Sequence, residues 1–584
     1  MVGNDRFVEK KYIWIPAVLV LGTILVNIKS ILSDFDVDSQ YALAMAYRLA
    51  QGDRLIAQMW EPHQTSAFLC ALLVRIYLIL FGTTTGVVLY LHLMGVILKA
   101  ICTYGLYKTL KKYLHPVQLF FICVFFFSVF PKGLPMPEFS NMLIWSSAGL
   151  FCCLVCFLDG QGKIRQLILA AVFLCLLVLS YPSCVIVYAG VVGLLFLYTK
   201  KTWRNVLVLT GVCLAIGISL LGWIVSYMGL EKLLQNMQYI LMGDSAHSES
   251  LASKFAGYAQ DLGEMFLVLL VAAVPAGIVF GICMLVYRIR HREFTAEIRK
   301  KCWGISFWSM LFIYFGVHTL LVVDRFGHLV VYIPIIVMAL RNMKLCSQQE
   351  KKIVCIGMVI SLLSFLAALL LSNLPVSASM SYLELAVCVS VIPITKNAEK
   401  YFHKCNQILK YSLIWAFCFL TVFRSGYIFK PMNAYVDSIW ILRGNLSRVV
   451  EDGPARGIVT EYMGADILNT SIREWEEYVK DGDRILLVGK DAVSTLGYLY
   501  KDTVISVDST ISTPTYGEKL LQYWEDNPQK YPNVVIIDSR DGRLSVDEDS
   551  WIMQWVENEF GPYIYNDGSY WRYYRADETV SVME

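Results

Sequence analysis

Charge is scarce in this sequence, and cysteine is missing from everything after Cys418. Charged residues make up 17% of the chain, where soluble domains carry about 25%. That shortage, with 57% hydrophobic residues and a mean hydropathy of +0.54, excludes an ordinary water-soluble domain. All sixteen cysteines lie at or before Cys418, mostly inside apolar runs such as those holding Cys123, Cys152, Cys153, Cys156 and Cys175. A disulfide framework would place them in an exported polar part, so that architecture is excluded. Cys153-Leu154-Val155-Cys156 has redox-motif spacing, but it sits in a lipid-length apolar run and reads as core packing. The segment after about residue 430 has no Gly-x-Gly-x-x-Gly phosphate loop and no Cys or His cluster, and the chain has no internal repeat. The first apolar run, Ile13 to Ile31, follows Lys10-Lys11 and is not followed by a small-x-small cleavage site. It reads as a retained signal anchor.

What the chain has in abundance is apolar segments of membrane-crossing length. They are expected at 12–31, 84–107, 117–131, 139–158, 167–181, 183–199, 206–228, 262–286, 303–323, 329–340, 353–373, 376–394 and 411–429. The fold class is therefore a polytopic α-helical membrane protein of about thirteen transmembrane helices. Basic clusters fall in alternate loops: Lys108/Lys111/Lys112, Lys163/Arg165, Lys200/Lys201/Arg204, Arg288 to Lys301, Arg341 to Lys352 and Lys396 to Lys410. The positive-inside rule then puts the N-terminus in the cytoplasm and the C-terminal part outside. Two domains follow: a membrane domain over 1–430, with a first extracytoplasmic loop at 32–83, and an extracytoplasmic α/β domain over 431–584. The second is acidic by about a dozen charges. The basic whole-chain pI of 8.0 thus reflects cytoplasmic loops and calls for no nucleic acid.

The loop 32–83 is not a mere turn. Ser39 to Ala50 is amphipathic and closed by Gly52, and Thr65 to Phe81 is apolar with Arg75 in its middle. Counting the second as a span inverts every later loop against the charge order, so both read as helices along the membrane interface. In the tail, Arg484 to Gly489 and Asn533 to Asp538 are buried-strand runs, with helices expected over Tyr516 to Asp526 and Trp551 to Phe560.

Where the chain leaves its first span it carries Asp34, Asp36 and Asp38. Capping explains part of this: Asp38 suits the N-cap of a helix starting at Ser39, and the helix dipole favours Asp there. A cap uses one carboxylate of the cluster. A carboxylate at the membrane interface is also suited to act as a general base.

The stretch 34–82 resembles the first extracytoplasmic loop of GT-C glycosyltransferases. That family includes the aminoarabinose transferases, the protein O-mannosyltransferases and the bacterial RgtA/B/C/D-like group. The likeness lies in the acidic cluster followed by Tyr41, the helix ending Gly52-Asp53, the turn Trp60-Glu61-Pro62-His63, and the apolar helix ending Phe81-Gly82. Aligned on Tyr41, the family's acidic pair falls on Val37 and Asp38 with Asp36 just outside, so the base is Asp36 or Asp38. The resemblance implies transfer of sugar from a polyprenyl-phosphate donor to an acceptor hydroxyl at the outer membrane face. It puts His63 near the donor phosphate. It gives Glu138, in the loop Pro135 to Asn141, a role in positioning the acceptor or a metal, with Glu61 a weaker candidate. Arg325, in Asp324 to His328 ahead of Tyr332 and Pro334, matches an Arg-Tyr…Pro element and would hold the phosphate. The implied partners are the lipid-linked donor, a glycan, lipid or protein acceptor, and the membrane lipids. The resemblance points to no particular cofactor, and a divalent metal stays open. A transporter or flippase is the alternative. It calls for charges at membrane depth, whereas the charges here are expected at the outer ends of the spans.

Overall fold

The computed structural model describes residues 14–33, 35, 37–61, 63–159, 163–241, 251–291, 327–371, 374–401, 448–460 and 462–489, a few residues within 295–313, and most of 496–576. The apolar runs form long helices: α1 (Trp14–Leu32), α2 (Val37–Gln51), α3 (Phe68–Phe81), α4 (Val87–Leu110), α5 (Pro116–Ser128), α6 (Phe139–Leu158), α7 (Ile164–Ser180), α8 (Ile186–Tyr198), α9 (Thr202–Met228), α10 (Leu230–Leu241) and α11 (Leu251–His291). Further helices run over Tyr332–Asn342, Gln348–Leu371 and Glu384–Tyr401.

Local chemistry sets several boundaries. Gly82 ends α3 in the left-handed region, at φ 65°, and donates its N–H to Leu78 O. Pro116 opens α5 behind a capping box in which His115 accepts from Val117 N and Gln118 accepts from His115 N. The bundle is centred on α6, which is buried over 83% of its apolar window and packs against α4, α7 and the helix Gln348–Leu371. The outer helices are the reverse. α9 is 11% buried over its window, and Trp203, Leu207 and Ile218 stand open along it. Apolar surface on that scale needs lipid against it.

Among the described residues seven helices are long and apolar enough to cross a membrane, and four shorter apolar helices accompany them. Segment 411–429 and most of 303–323 lie outside the described residues. Expected span 329–340 is a 3₁₀ turn followed by the eleven-residue helix Tyr332–Asn342. Gln64–Phe81 meets the length and apolarity of a span. Its reading as an interface helix therefore rests on loop charge and not on composition.

The C-terminal region is built on a sheet of β3 (Arg484–Val488), β4 (Val504–Ile505), β5 (Val534–Arg540), β7 (Asn566–Asp567) and β8 (Trp571–Arg575). The order is β4-β3-β5-β8-β7, and β6 (Arg543–Leu544) pairs with β5. A separate ribbon joins β1 (Arg448–Val449) and β2 (Val459–Thr460). β4, β3 and β5 are parallel, in the register Ile485↔Val534 to Val488↔Ile537. Leu486, Leu487, Val535 and Ile536 are buried, as continuous apolar runs in a parallel sheet covered on both faces should be. Helices Gly517–Asp526 and Trp551–Phe560 stand where they were expected.

The bundle has two different ends. At one, Lys112 pairs with Asp159 at 2.6 Å, Gln349 reaches the same carboxylate, Lys352 bonds Leu158 O, and Lys396 pairs with Glu350. Three of the basic clusters thus meet there. At the other end the loop after α1, helix α10 and the C-terminal region converge.

Candidate functional site

The site region starts with α2, which is far more buried than an amphipathic interface helix. Leu43, Ala44, Met45 and Ala46 are each 0% exposed. The helix packs on α3, and its core continues into the C-terminal region through Trp475 and Ile505. Burial, with the Asp502 carboxylate adding to it, pushes the Tyr47 phenol up to about 12. Asp38 lies in the first turn of a helix that begins at Val37, so it is inside the helix and not the N-cap expected from a start at Ser39. Two residues of start position separate a cap from a first-turn residue, and dipole stabilisation applies to both. Asp36 and Arg325 lie outside the described residues.

After Gly52 the chain makes a strained turn. Ile56 has φ +64°, a region that β-branched residues rarely enter. Four consecutive carbonyls of this turn are bonded by side chains from other elements. Tyr227 donates to Leu55 O at 2.8 Å, Asn236 to Ile56 O at 2.9 Å, Asn527 to Ala57 O at 3.2 Å and Tyr523 to Gln58 O at 2.6 Å. The Ile56 N–H is taken by the Gln64 side chain at 2.7 Å. Beneath it lies a buried polar network. Arg48, 1% exposed, donates to Asp53 at 2.6 Å and to the Tyr523 hydroxyl at 2.7 Å, and also bonds Gln58 O. Lys530 reaches Asp53 at 2.8 Å. Trp60 stacks on Tyr239 of α10 and meets Tyr523 edge-on. The first loop, α10 and the C-terminal region are therefore one packed assembly.

This grip sets the turn that follows. The Tyr41 hydroxyl donates to Glu61 at 2.6 Å, tying α2 to the turn. His63 lies flat on Phe139, with centroids 4.8 Å apart and rings 16° from parallel, and against Tyr181 at 5.4 Å. Thr65 is bonded to Leu179 O at the end of α7. Phe139 is the residue after Glu138, which stands at the N-cap position of α6 and is 1% exposed. The loop carrying Glu138 is folded back by Asn141, which donates to Leu134 O and Met136 O. It presses so closely on α4 that a Cβ at Gly95 would meet Pro135 O at 1.4 Å, so only glycine fits there. Ser140 and Tyr382 share a hydrogen bond at 3.1 Å, and Tyr382 packs on Tyr181. Of the sequence candidates, Glu61, His63 and Glu138 are brought to one end of the bundle, joined through Tyr41 to the helix that bears Asp38. Among the described residues no three His, Cys, Asp or Glu side chains come together as a metal site. Glu61, His63 and Glu138 do not by themselves form one, and Asp34 and Asp36 lie outside the described residues.

One charged feature escaped sequence reading and corrects the expectation that charges stay at span ends. Lys99 of α4 and Glu384 form an ion pair at 2.8 Å, 0% and 1% exposed, within two apolar spans. The ammonium also lies over the Phe126 ring at 3.9 Å. The signal was present as single charges inside apolar runs, but nothing in the sequence pairs positions 99 and 384.

These features define a multi-pass helical membrane protein whose first loop is clamped at one end of the bundle by an α/β region. Solved structures with a similar course of chain include the Archaeoglobus fulgidus oligosaccharyltransferase in complex with Zn and sulfate. It is 11% identical with a TM-score of 0.47, over 95% of this chain and 72% of that one. ArnT from Cupriavidus metallidurans in the apo state is 11% identical with a TM-score of 0.42, over 97% and 98%. The Archaeoglobus fulgidus enzyme AglB, in complex with an inhibitory peptide and a dolichol-phosphate, is 12% identical with a TM-score of 0.42, over 90% and 70%. No protein-family model and no curated protein matches the chain.

Proposed function

We propose that this chain is a membrane glycosyltransferase that moves a sugar from a polyprenyl-phosphate donor to an acceptor hydroxyl at the extracytoplasmic face. The observation that carries the reading is the meeting, at the end of the bundle opposite the basic loops, of the α2 start, the Glu61–His63 turn and the Glu138 loop. These are the segments that the first-loop resemblance singles out. In this reading Asp36 or Asp38 takes the proton from the acceptor hydroxyl. The acceptor oxygen bonds to the anomeric carbon, the bond from that carbon to the phosphate oxygen breaks, and its electron pair leaves with the phosphate. Attack from the face opposite the phosphate inverts the configuration. Negative charge grows on the departing phosphate, where His63 and Arg325 stabilise it. Glu138 positions the acceptor or a metal, with Glu61, held by Tyr41, the second candidate for that role. The N-terminus is cytoplasmic, and the acidic 431–584 domain is outside and bears no catalytic group. The acceptor is a cell-envelope glycan, a lipid or a protein.

A transporter or flippase is favoured by one observation, the buried Lys99–Glu384 pair, since charge at membrane depth marks many transport pathways. Transfer of radiolabel from polyprenyl-phosphate sugar in detergent supports the enzyme. Uptake into liposomes without transfer supports the transporter.

A further inference from the structure

At the basic end of the bundle, away from the clamped loop, lies a cavity of about 470 Å³ between the last turn of α4 and the first turns of α5. Its size is within the usual range for small-molecule sites, about 300–1,000 Å³. Leu114, Leu119, Phe120 and Cys123 give it an apolar wall, and Tyr107 and Lys111 line it beside them. The neighbouring surface is cationic. Lys108 lies over the Tyr104 ring at 5.3 Å and Lys111 over the Tyr107 ring at 5.6 Å, and both lysines are exposed. Lys112, the third of the cluster, is neutralised by Asp159 at 2.6 Å. Among the described residues no carboxylate pairs with Lys108 or Lys111. The N-terminus of α5 offers no competing anion site, because its capping box already occupies the Val117 N–H.

Tyrosines and lysines at the end of a span mark the depth of lipid headgroups, with the lysine stems lying along apolar surface and the ammonium in the polar layer. A ligand that fits both halves of this groove carries a hydrocarbon chain and one anionic headgroup at its end. We propose that the groove binds an anionic phospholipid of the leaflet facing the basic loops. Its phosphate sits on Lys111 and Lys108, and one acyl chain runs along Leu114, Leu119, Phe120 and Cys123. A zwitterionic lipid brings its own ammonium against the two lysines and binds less well. Inorganic phosphate has no chain to fill the apolar wall. The proposal rests on the membrane reading of the fold and is independent of the transferase reading.

The test uses the full-length protein in nanodiscs of phosphatidylcholine with a minor fraction of phosphatidylglycerol. Native mass spectrometry of the released protein counts the lipid retained. The wild type retains phosphatidylglycerol out of proportion to its share of the bilayer. The double variant Lys108→Gln/Lys111→Gln, at two exposed positions, loses that preference by about tenfold or more. Cys123→Trp, which fills the wall and leaves the lysines, lowers retention of both lipids. Equal retention of the two lipids by the wild type overturns the proposal, as does an unchanged preference in the lysine variant. A polyprenyl phosphate that displaces phosphatidylglycerol from the wild type but not from the lysine variant assigns the groove to a carrier lipid and also overturns it.

Discussion

Lys99→Met is the substitution to which the bundle should be most sensitive. The ammonium lies 2.8 Å from Glu384 Oε1, with both side chains buried. At an effective dielectric of about 20, Coulomb attraction at that separation is about 6 kcal/mol. Taking both ions out of water costs several kcal/mol each, so the intact pair contributes little net stability. Removing one side alone is different. In Lys99→Met the Glu384 carboxylate keeps no partner, because its second oxygen, Oε2, has no hydrogen bond among the described residues. The expected loss is about 3–5 kcal/mol. The contact with Phe126, worth up to about 2 kcal/mol, goes as well. Glu384→Gln keeps an acceptor for Lys99 but leaves its ammonium buried without a countercharge, so it should also cost about 3–5 kcal/mol. The double variant Lys99→Met/Glu384→Leu should recover to within about 2 kcal/mol of wild type, since no buried charge is left. The assay is the unfolding midpoint of the full-length protein in mild detergent, read by intrinsic fluorescence against added denaturing detergent. If Lys99→Met stays within about 1 kcal/mol of wild type, or the double variant is no better than Lys99→Met, the pair is not a desolvated ion pair and the reasoning fails.

The double variant Tyr523→Phe/Asn527→Ala removes two of the four grips on the strained turn, about 1 kcal/mol each. Trypsin should then cut after the exposed Arg54 faster while the bundle stays folded; unchanged cleavage would mean that the C-terminal region does not hold the loop. Arg325→Lys should keep donor affinity but lower turnover, and Arg325→Ala should lose both, with a barrier cost on the order of 3 kcal/mol. An active Asp324→Asn/Arg325→Gln double variant would remove Arg325 from the mechanism. Burial alone would raise the Asp483 carboxyl, but bonds from Arg575 at 2.6 and 2.9 Å, with backbone and Asn533 donors, outweigh it and hold the group below its ordinary value. A depressed folded value contributes stability above the unfolded pKa of about 3.9 that is lost as pH falls through the folded one. The C-terminal region should therefore loosen below about pH 4 by Trp fluorescence, and Asp483→Asn should flatten that acid limb; an identical limb in the variant contradicts the assignment.

What sequence reading recovered follows from what is local. Arg484–Val488 and Val534–Asp538 are legible as strands because continuous apolar runs between turn residues need only their own neighbours to identify them. The same holds for the helices at 517–526 and 551–560. The strand Trp571–Arg575 was not read. Its Arg-Tyr-Tyr pattern has no clean alternation, and pairing with β5 decides it. The amphipathic pattern of α2 suggested a half-exposed helix, yet its polar face is covered by the C-terminal region, with Arg48 meeting Tyr523 across 475 positions. The Glu61–His63 turn was legible through the resemblance of its residues, but the clamp on residues 55–58 was not. Backbone carbonyls leave no trace in a sequence, and their partners at 227, 236, 523 and 527 are ordinary Tyr and Asn. Lys99 and Glu384 stood out singly, and only the packing of α4 against its neighbours pairs them.

The most direct test of the account is sugar transfer itself, measured as radiolabel moved from polyprenyl-phosphate sugar to an acceptor by the purified full-length protein. Wild type should transfer, and Asp36→Asn or Asp38→Asn should lower turnover by about 10²–10⁴-fold while the protein stays folded and still binds donor. Near-wild-type turnover in both single variants would contradict the base assignment, and no transfer by wild type from any polyprenyl-phosphate sugar would contradict the function.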